Sequence, residues 1–155
     1  MSELSVGDTA PTFDLPRDGG GNLSLADLKG QNVVLYFYPR DDTSGCTKEA
    51  IGFTEQADAF AAAGTTVVGV SKDSVKKHDK FRDKHNLGVA LVSDEDSDLC
   101  ERYGVWVEKS MYGKSYMGIE RATFLIDGDG KIAQIWRKVK VPGHVDAVLE
   151  AARAL

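Results

Sequence analysis

The chain is 155 residues long, with 42% hydrophobic residues and 16 glycines, a composition that fits one ordinary globular domain and excludes collagen-like and disordered classes. Nineteen Lys and Arg stand against 24 Asp and Glu, and the net charge of −5 has the wrong sign for a dedicated nucleic-acid binder. The opening residues lack the basic and apolar regions of a secretory leader, and the longest apolar run, Val33 to Tyr38, falls far short of the roughly 20 residues that a membrane span needs, so no membrane role is expected.

In chain order, Gly19-Gly20-Gly21 reads as a loop between short segments; no Gly-Lys-Ser/Thr follows it, so it is not a phosphate-binding loop. Val33 to Tyr38 is a continuous apolar run stopped by Pro39, the pattern of a strand buried on both faces. From Cys46 to Ala63 the spacing predicts one helix, with Ile51, Phe53, Ala57, Phe60 and Ala61 as apolar positions and Gly64 as the stop. Thr65 to Val70 reads as a second buried strand and Ser74 to His85 as a polar helix with Val75, His78 and Phe81 on one face. Val89 to Val92 is a further short strand, followed by an expected helix from Asp94 to Tyr103 closed by Gly104. Ala122 to Ile126 and Lys131 to Trp136 form an antiparallel hairpin through Asp127-Gly128-Asp129-Gly130, and Pro142-Gly143 opens a closing helix that packs through Val145, Val148 and Leu149. The pattern predicts a single α/β domain over residues 1–155, a mixed central β-sheet flanked by helices on both faces.

Two cysteines, Cys46 and Cys100, are too few for a disulfide framework and form no CxxC pair, so free thiols in a reducing cytoplasm are expected. The strand ending at Tyr38 leads through Pro39-Arg40-Asp41-Asp42-Thr43-Ser44-Gly45 to Cys46, at the kind of strand end where α/β sheets gather ligands. Cys46 is placed in the first turn of a helix, where free backbone N–H groups and the helix dipole favour an anion, and the thiolate is the nucleophilic form. Gly45 allows close backbone approach to a small ligand, Pro39 stiffens the loop entry, and the Thr43 hydroxyl can accept from one group while donating to another. Polar neighbours on both sides of Cys46 argue for access rather than for a space-filling core thiol.

Pro39 to Cys46 matches Pro-x-x-x-Thr-x-x-Cys, the active-site motif of the peroxiredoxins, and the chain resembles most closely the bacterioferritin comigratory protein, or PrxQ, subfamily. The resemblance extends to Gly7 through Leu15, to Tyr36-Phe37-Tyr38-Pro39, to Tyr112-Gly113-Lys114 and to Gly118 through Ile126. It implies a thioredoxin-like fold and thiol-dependent reduction of hydrogen peroxide and organic hydroperoxides without metal, haem or flavin. By position it makes Cys46 the peroxidatic cysteine, Thr43 the peroxide-binding hydroxyl, Pro39 the residue shielding the thiolate and Arg121 the active-site arginine. A guanidinium keeps its proton and offers a rigid set of donors, which suits thiolate stabilisation and binding of a developing negative charge. Glu49, one turn beyond Cys46, is read as an exposed first-turn carboxylate, with orientation of Arg121 as the alternative.

The subfamily's resolving cysteines are missing here. One position, five residues after Cys46, is Ile51; the other, on the next helix, aligns with Arg82. Ser44 stands where a proline is more usual. Cys100 is read first as a small packed residue and second as a candidate resolving cysteine. The leading expectation is therefore a monomeric one-cysteine peroxidase regenerated by an external thiol, thioredoxin or glutathione with glutaredoxin. A two-cysteine mechanism through Cys100 and a non-enzymatic redox sensor or chaperone-like protein are the alternatives, while the lack of CxxC argues against a thiol–disulfide oxidoreductase. His78, His85 and His144 show no ligand spacing and are read as surface or packing residues, and Asp127 to Gly130 as a turn, because Lys138 stands where a calcium loop needs glutamate. Arg137-Lys138-Val139-Lys140 is read as a solvated basic face.

Overall fold

Strand β3 (Asn32–Phe37) is buried along nearly its whole length, and the rest of the chain is arranged to cover its two sides. In the computed structural model, which describes residues 3–155, it pairs in parallel with β4 (Thr65–Ser71) and antiparallel with β8 (Ala122–Ile126). Strand β5 (Ala90–Ser93) extends the parallel side and β9 (Ile132–Trp136) the antiparallel side, giving a five-stranded sheet of order β5-β4-β3-β8-β9. Two antiparallel hairpins stand apart from it: β1 (Asp14–Pro16) with β2 (Asn22–Ser24), and β6 (Trp106–Met111) with β7 (Lys114–Ile119). The residues at 1–2, where the expected domain begins, lie outside the described part. Among the described residues no helix is long and apolar enough to cross a membrane.

Alternation along the strands divides the core into two layers. Val34, Tyr36, Leu91 and Leu125 face a layer formed with Ala50 and Phe53 of α1 (Ser44–Glu55), Phe60 of α2 (Ala57–Ala62), Phe81 of α3 (Val75–His85) and Val148 of α5 (His144–Arg153). Val33, Leu35, Phe37 and Phe124 face the other layer, closed by Leu25 and Leu28 of a short 3-10 turn, by Tyr103, and by Leu99 and Cys100 of α4 (Leu99–Arg102). The mixed sheet with helices on both faces is thus present, with the long helices all on one side.

Three expectations change. The helix expected from Cys46 to Ala63 breaks at Gln56. The Thr54 hydroxyl donates back to the Ala50 carbonyl at 2.8 Å and accepts from the Gly88 amide at 3.0 Å, a bond to the preceding turn that bends helices and here turns α2 onto β4. The helix expected from Asp94 shrinks to Leu99–Arg102, because the buried Asp94 carboxylate instead accepts from the amides of Leu99 (3.0 Å) and Cys100 (2.9 Å) and serves as a cap from outside the helix. The β6–β7 hairpin was not expected at all. Its turn is Tyr112-Gly113, with φ of 52° and 76°, a primed two-residue turn that lacks the usual Asn-Gly or Asp-Gly signature. The Asp127 to Gly130 turn is as expected, with the Asp127 carboxylate accepting from the Asp129 and Lys131 amides.

Gly69, in the middle of β4, lies under the Tyr36 ring; an added Cβ would stand 2.7 Å from Tyr36 Cζ and 3.1 Å from Leu91 Cδ2. The ring cannot retreat, because it stacks on Phe53 at 4.7 Å. Gly69→Ala should therefore lower unfolding stability by about 1–3 kcal/mol through overpacking, measured by urea denaturation.

Candidate active site

The end of β3 and the start of β8 are brought side by side by the pairing of Phe37 with Ala122. That register puts the segment after β3, which leads into α1, against Arg121, the residue just before β8. Thr43 is the N-cap of α1 and Cys46 lies in its first turn, as the sequence predicts. The Thr43 hydroxyl gives its one hydrogen to the Arg40 carbonyl at 2.9 Å, so toward a ligand it presents acceptor lone pairs. Arg121 donates from Nη2 to Cys46 Sγ at 3.3 Å and from Nη1 to Glu49 Oε1 at 2.7 Å. Gly45 stands where a side chain would crowd this contact, since a Cβ there would be 3.1 Å from Arg121 Nη2. Pro39 lines a cavity of about 520 Å³ together with Thr43, Arg40, Lys109, Trp106 and Met117.

Two expectations are corrected here. Cys46 is only 1% exposed, because Tyr36, Tyr38, Ala50 and Phe53 close around it; polar neighbours in sequence do not translate into an open thiol. Glu49 is not an exposed first-turn carboxylate: it is fully buried, and three residues along a helix puts it on the same face as Cys46. Burial raises its carboxyl to about 7, against the opposing pull of Arg121's charge and hydrogen bond. Its second oxygen, Oε2, has no hydrogen-bond partner among the described residues. Nothing in the sequence around Glu49 marks its burial, and of its two readings the contact with Arg121 fits the orientation of that residue.

Neighbouring titratable groups are kept neutral. Burial, reinforced by the Glu49 charge, raises the Tyr36 phenol well above its ordinary value, and burial also raises Tyr38. His144 is lowered to about 4 by burial and then by the Arg121 charge, and it is hydrogen bonded to Thr123 Oγ1 at 2.8 Å. His78 and His144 are buried, hydrogen-bonded packing residues and the more exposed His85 pairs with Asp42 at 2.9 Å, in line with surface or packing roles. Cys100 lies in the other core layer, so the central sheet separates it from Cys46. Burial, then the Asp94 charge, pushes its thiol far up. Arg82, where the subfamily's second resolving thiol would stand, instead pairs with Asp18 at 3.2 Å and Asp83 at 3.1 Å.

The AhpC/TSA family matches residues 6–135 of the chain. The chain belongs to this peroxiredoxin family. A putative peroxiredoxin Bcp of Coxiella burnetii is 56% identical over 94% of the chain and 97% of the relative, and peroxiredoxin Bcp of Bacillus subtilis is 46% identical over 97% and 96%. Among solved structures, Xanthomonas campestris peroxiredoxin Q superposes with a TM-score of 0.87 at 48% identity, over 92% of this chain and 90% of that one. A PrxQ mutant from Xylella fastidiosa reaches a TM-score of 0.93 at 42% identity, over 99% of this chain and 98% of that one. This peroxiredoxin therefore has the thioredoxin-like fold that the Pro39 to Cys46 motif implied.

The raised Glu49 carboxyl has a signed consequence for stability. Its folded value, about 7, exceeds the ordinary 4.5, so its contribution is fully present below pH 4.5 and is lost as pH rises through about 7. Glu49→Gln should gain on the wild type by on the order of 1–3 kcal/mol between pH 4.5 and 7, with no further change above, as read by urea unfolding at stepped pH.

Proposed function

We propose that the chain is a thiol-dependent peroxidase in which Cys46 attacks the peroxide and an external thiol restores it. The Arg121 bridge between Cys46 Sγ and Glu49 carries this reading, because it aims a fixed positive charge at the sulfur and at the place where charge develops on the leaving oxygen. The Cys46 thiolate attacks the terminal oxygen of the peroxide, the O–O bond breaks, and the sulfenic acid forms as water or an alcohol leaves after protonation. Thr43 accepts from the peroxide O–H while Arg121 donates to an oxygen, so the two residues fix the line of attack. Pro39 shields the sulfur, and Gly45 leaves room for the guanidinium. A Xanthomonas campestris relative is described as having alkyl peroxide reduction activity, and the cavity beside Thr43 leaves room for more than hydrogen peroxide.

Regeneration by an external thiol is supported by the residues at the resolving positions, Ile51 and Arg82, and by the sheet that stands between Cys46 and Cys100. Thioredoxin, or glutathione with glutaredoxin, is the reductant in this reading, and Arg40 and Lys109 give the cavity's mouth a positive lining for an anionic approach. In this reading the protein is a monomer of one domain working in a reducing cytoplasm.

With one equivalent of hydrogen peroxide and a sulfenic-acid trap, intact-protein mass spectrometry should show one adduct on Cys46 in both the wild type and Cys100→Ser. A loss of two hydrogens in the wild type alone would make Cys100 the resolving residue. Thr43→Val and Arg121→Gln should each slow sulfenic acid formation by on the order of a hundredfold, followed by stopped-flow kinetics.

A further inference from the structure

The loop from Pro39 to Thr43 must hold the Thr43 hydroxyl beside Cys46, yet it has no regular secondary structure to do so. A buried network behind it supplies the anchor. Asp41 Oδ1 accepts from the Tyr38 hydroxyl at 2.6 Å, and Asp41 Oδ2 lies 2.6 Å from His78 Nδ1 on α3. The Asp41 amide donates to Asp73 Oδ2 at 2.7 Å, an oxygen that also accepts from Ser71 Oγ at 2.7 Å. His78 Nε2 lies 2.9 Å from the Val92 carbonyl oxygen of β5. The side chains of His78 and Asp41 are 0% and 5% exposed.

These contacts fix the charge of the imidazole. A carbonyl oxygen can only accept, so Nε2 carries a hydrogen. Nδ1 then faces a carboxylate at 2.6 Å, and a bare lone pair there would repel it; a second proton lies between them, making a buried imidazolium–carboxylate pair. Asp41, Asp73 and His78 are grouped closely enough to hold a cation, but Asp41 and the Val92 carbonyl already occupy both ring nitrogens and the Asp41 amide and Ser71 occupy Asp73 Oδ2. The cluster is closed on itself. A second, exposed grip sits next to it: Asp42, with φ of 61°, takes Lys84 Nζ at 2.7 Å and His85 Nε2 at 2.9 Å. Exposed pairs contribute little, so the buried pair sets the loop.

We propose that the buried His78–Asp41 pair clamps the peroxide-binding loop to α3, and that both are positioning residues for the reaction at Cys46. The proposal rests on Cys46 and Thr43 being the reacting site. His78 touches neither the peroxide nor the sulfur; it acts by holding Asp41, two residues before Thr43. Burial pulls the His78 imidazole down, but the Asp41 hydrogen bond and charge, the Val92 carbonyl and the Asp73 charge outweigh it and leave it above its ordinary 6.5. Tyr38, the remaining titratable group in the network, is kept neutral by burial beside Asp41. Arg40, Lys77, Lys80 and Lys84 line the adjoining cavity of about 430 Å³ with Asp41, Asp42 and Asp73, and they are the charges that oppose the pair. The clamp is fully present below pH 6.5 and is lost as pH rises through the raised His78 value.

The test joins two readouts on the whole protein. Two-bond 15N–1H correlation spectra of histidine-labelled wild type should show both His78 ring nitrogens protonated at pH 7, losing a proton only at higher pH. The second-order rate of sulfenic acid formation at Cys46 should fall over that same alkaline range. In Asp41→Asn, which keeps the shape and an acceptor for Tyr38, both midpoints should move down together, and the rate at pH 7.5 should drop on the order of tenfold. A neutral His78 tautomer at pH 7, a wild-type rate that is flat through the His78 titration, or an Asp41→Asn rate profile that superposes on the wild type would overturn the clamp. If Asp41→Asn does not fold, agreement or disagreement between the two wild-type titrations decides. A wild type that forms no sulfenic acid would remove the peroxidase reading and the clamp with it, whereas a reactive Cys46 with an indifferent loop removes the clamp alone.

Discussion

One guanidinium, that of Arg121, reaches both Cys46 Sγ at 3.3 Å and Glu49 Oε1 at 2.7 Å in an almost wholly buried setting. In a buried setting a single positive charge balances one negative charge well and two poorly, because each added ion must leave water. At Glu49 burial weighs against the charge and Arg121 only partly compensates, which leaves the carboxyl raised to about 7. Tyr36 and Tyr38 hold their protons, and His144 is a neutral neighbour that adds no second positive charge.

The fold supplies this arrangement through two simple periodicities. Three residues along α1 bring Cys46 and Glu49 to one face, and the antiparallel register of β3 with β8 sets Arg121 opposite the start of that helix. Neither element alone makes the site. The β6–β7 hairpin then raises a wall over it, where Lys72 lies 4.9 Å from the Trp106 ring centre and Lys109 is lowered from its ordinary value by burial and by Arg121. A small molecule approaching Thr43 thus passes a surface that is part aromatic and part cationic on a protein whose net charge is negative.

How much of this can be read from the residues depends on where the information is held. The buried strands, the Asp127 to Gly130 turn and α3 were legible, because each is specified by its own stretch of chain. The position of Cys46 on its helix followed from the same local cues, and its partners Thr43 and Arg121 came from the family resemblance. The bend at Gln56 was not legible, since it depends on Thr54 meeting the amide of Gly88 from a distant loop. The capping of α4 by Asp94 looked like the start of the helix itself. The β6–β7 hairpin has mostly exposed residues and an unconventional turn, so neither alternation nor turn chemistry announced it. The burial of Glu49 and the Asp41 pairing of His78 were not legible because each depends on a partner distant in sequence, Arg121 or Asp41.

The two cysteines share a chain but not a compartment. Cys100, capped by Asp94 and packed with Leu99 and Tyr103, lies behind the sheet in a layer that meets the cavity beside Thr43 at Ile119 and Trp106, and is itself fully buried. The sheet works as a bulkhead between the two sulfurs. In the proposed reaction, an oxidant that exhausts Cys46 meets no second thiol until the fold opens, so irreversible damage at Cys46 and the integrity of the remaining core are decoupled. A protein molecule can lose its chemistry while keeping its architecture, and the population can carry spent, folded copies alongside working ones.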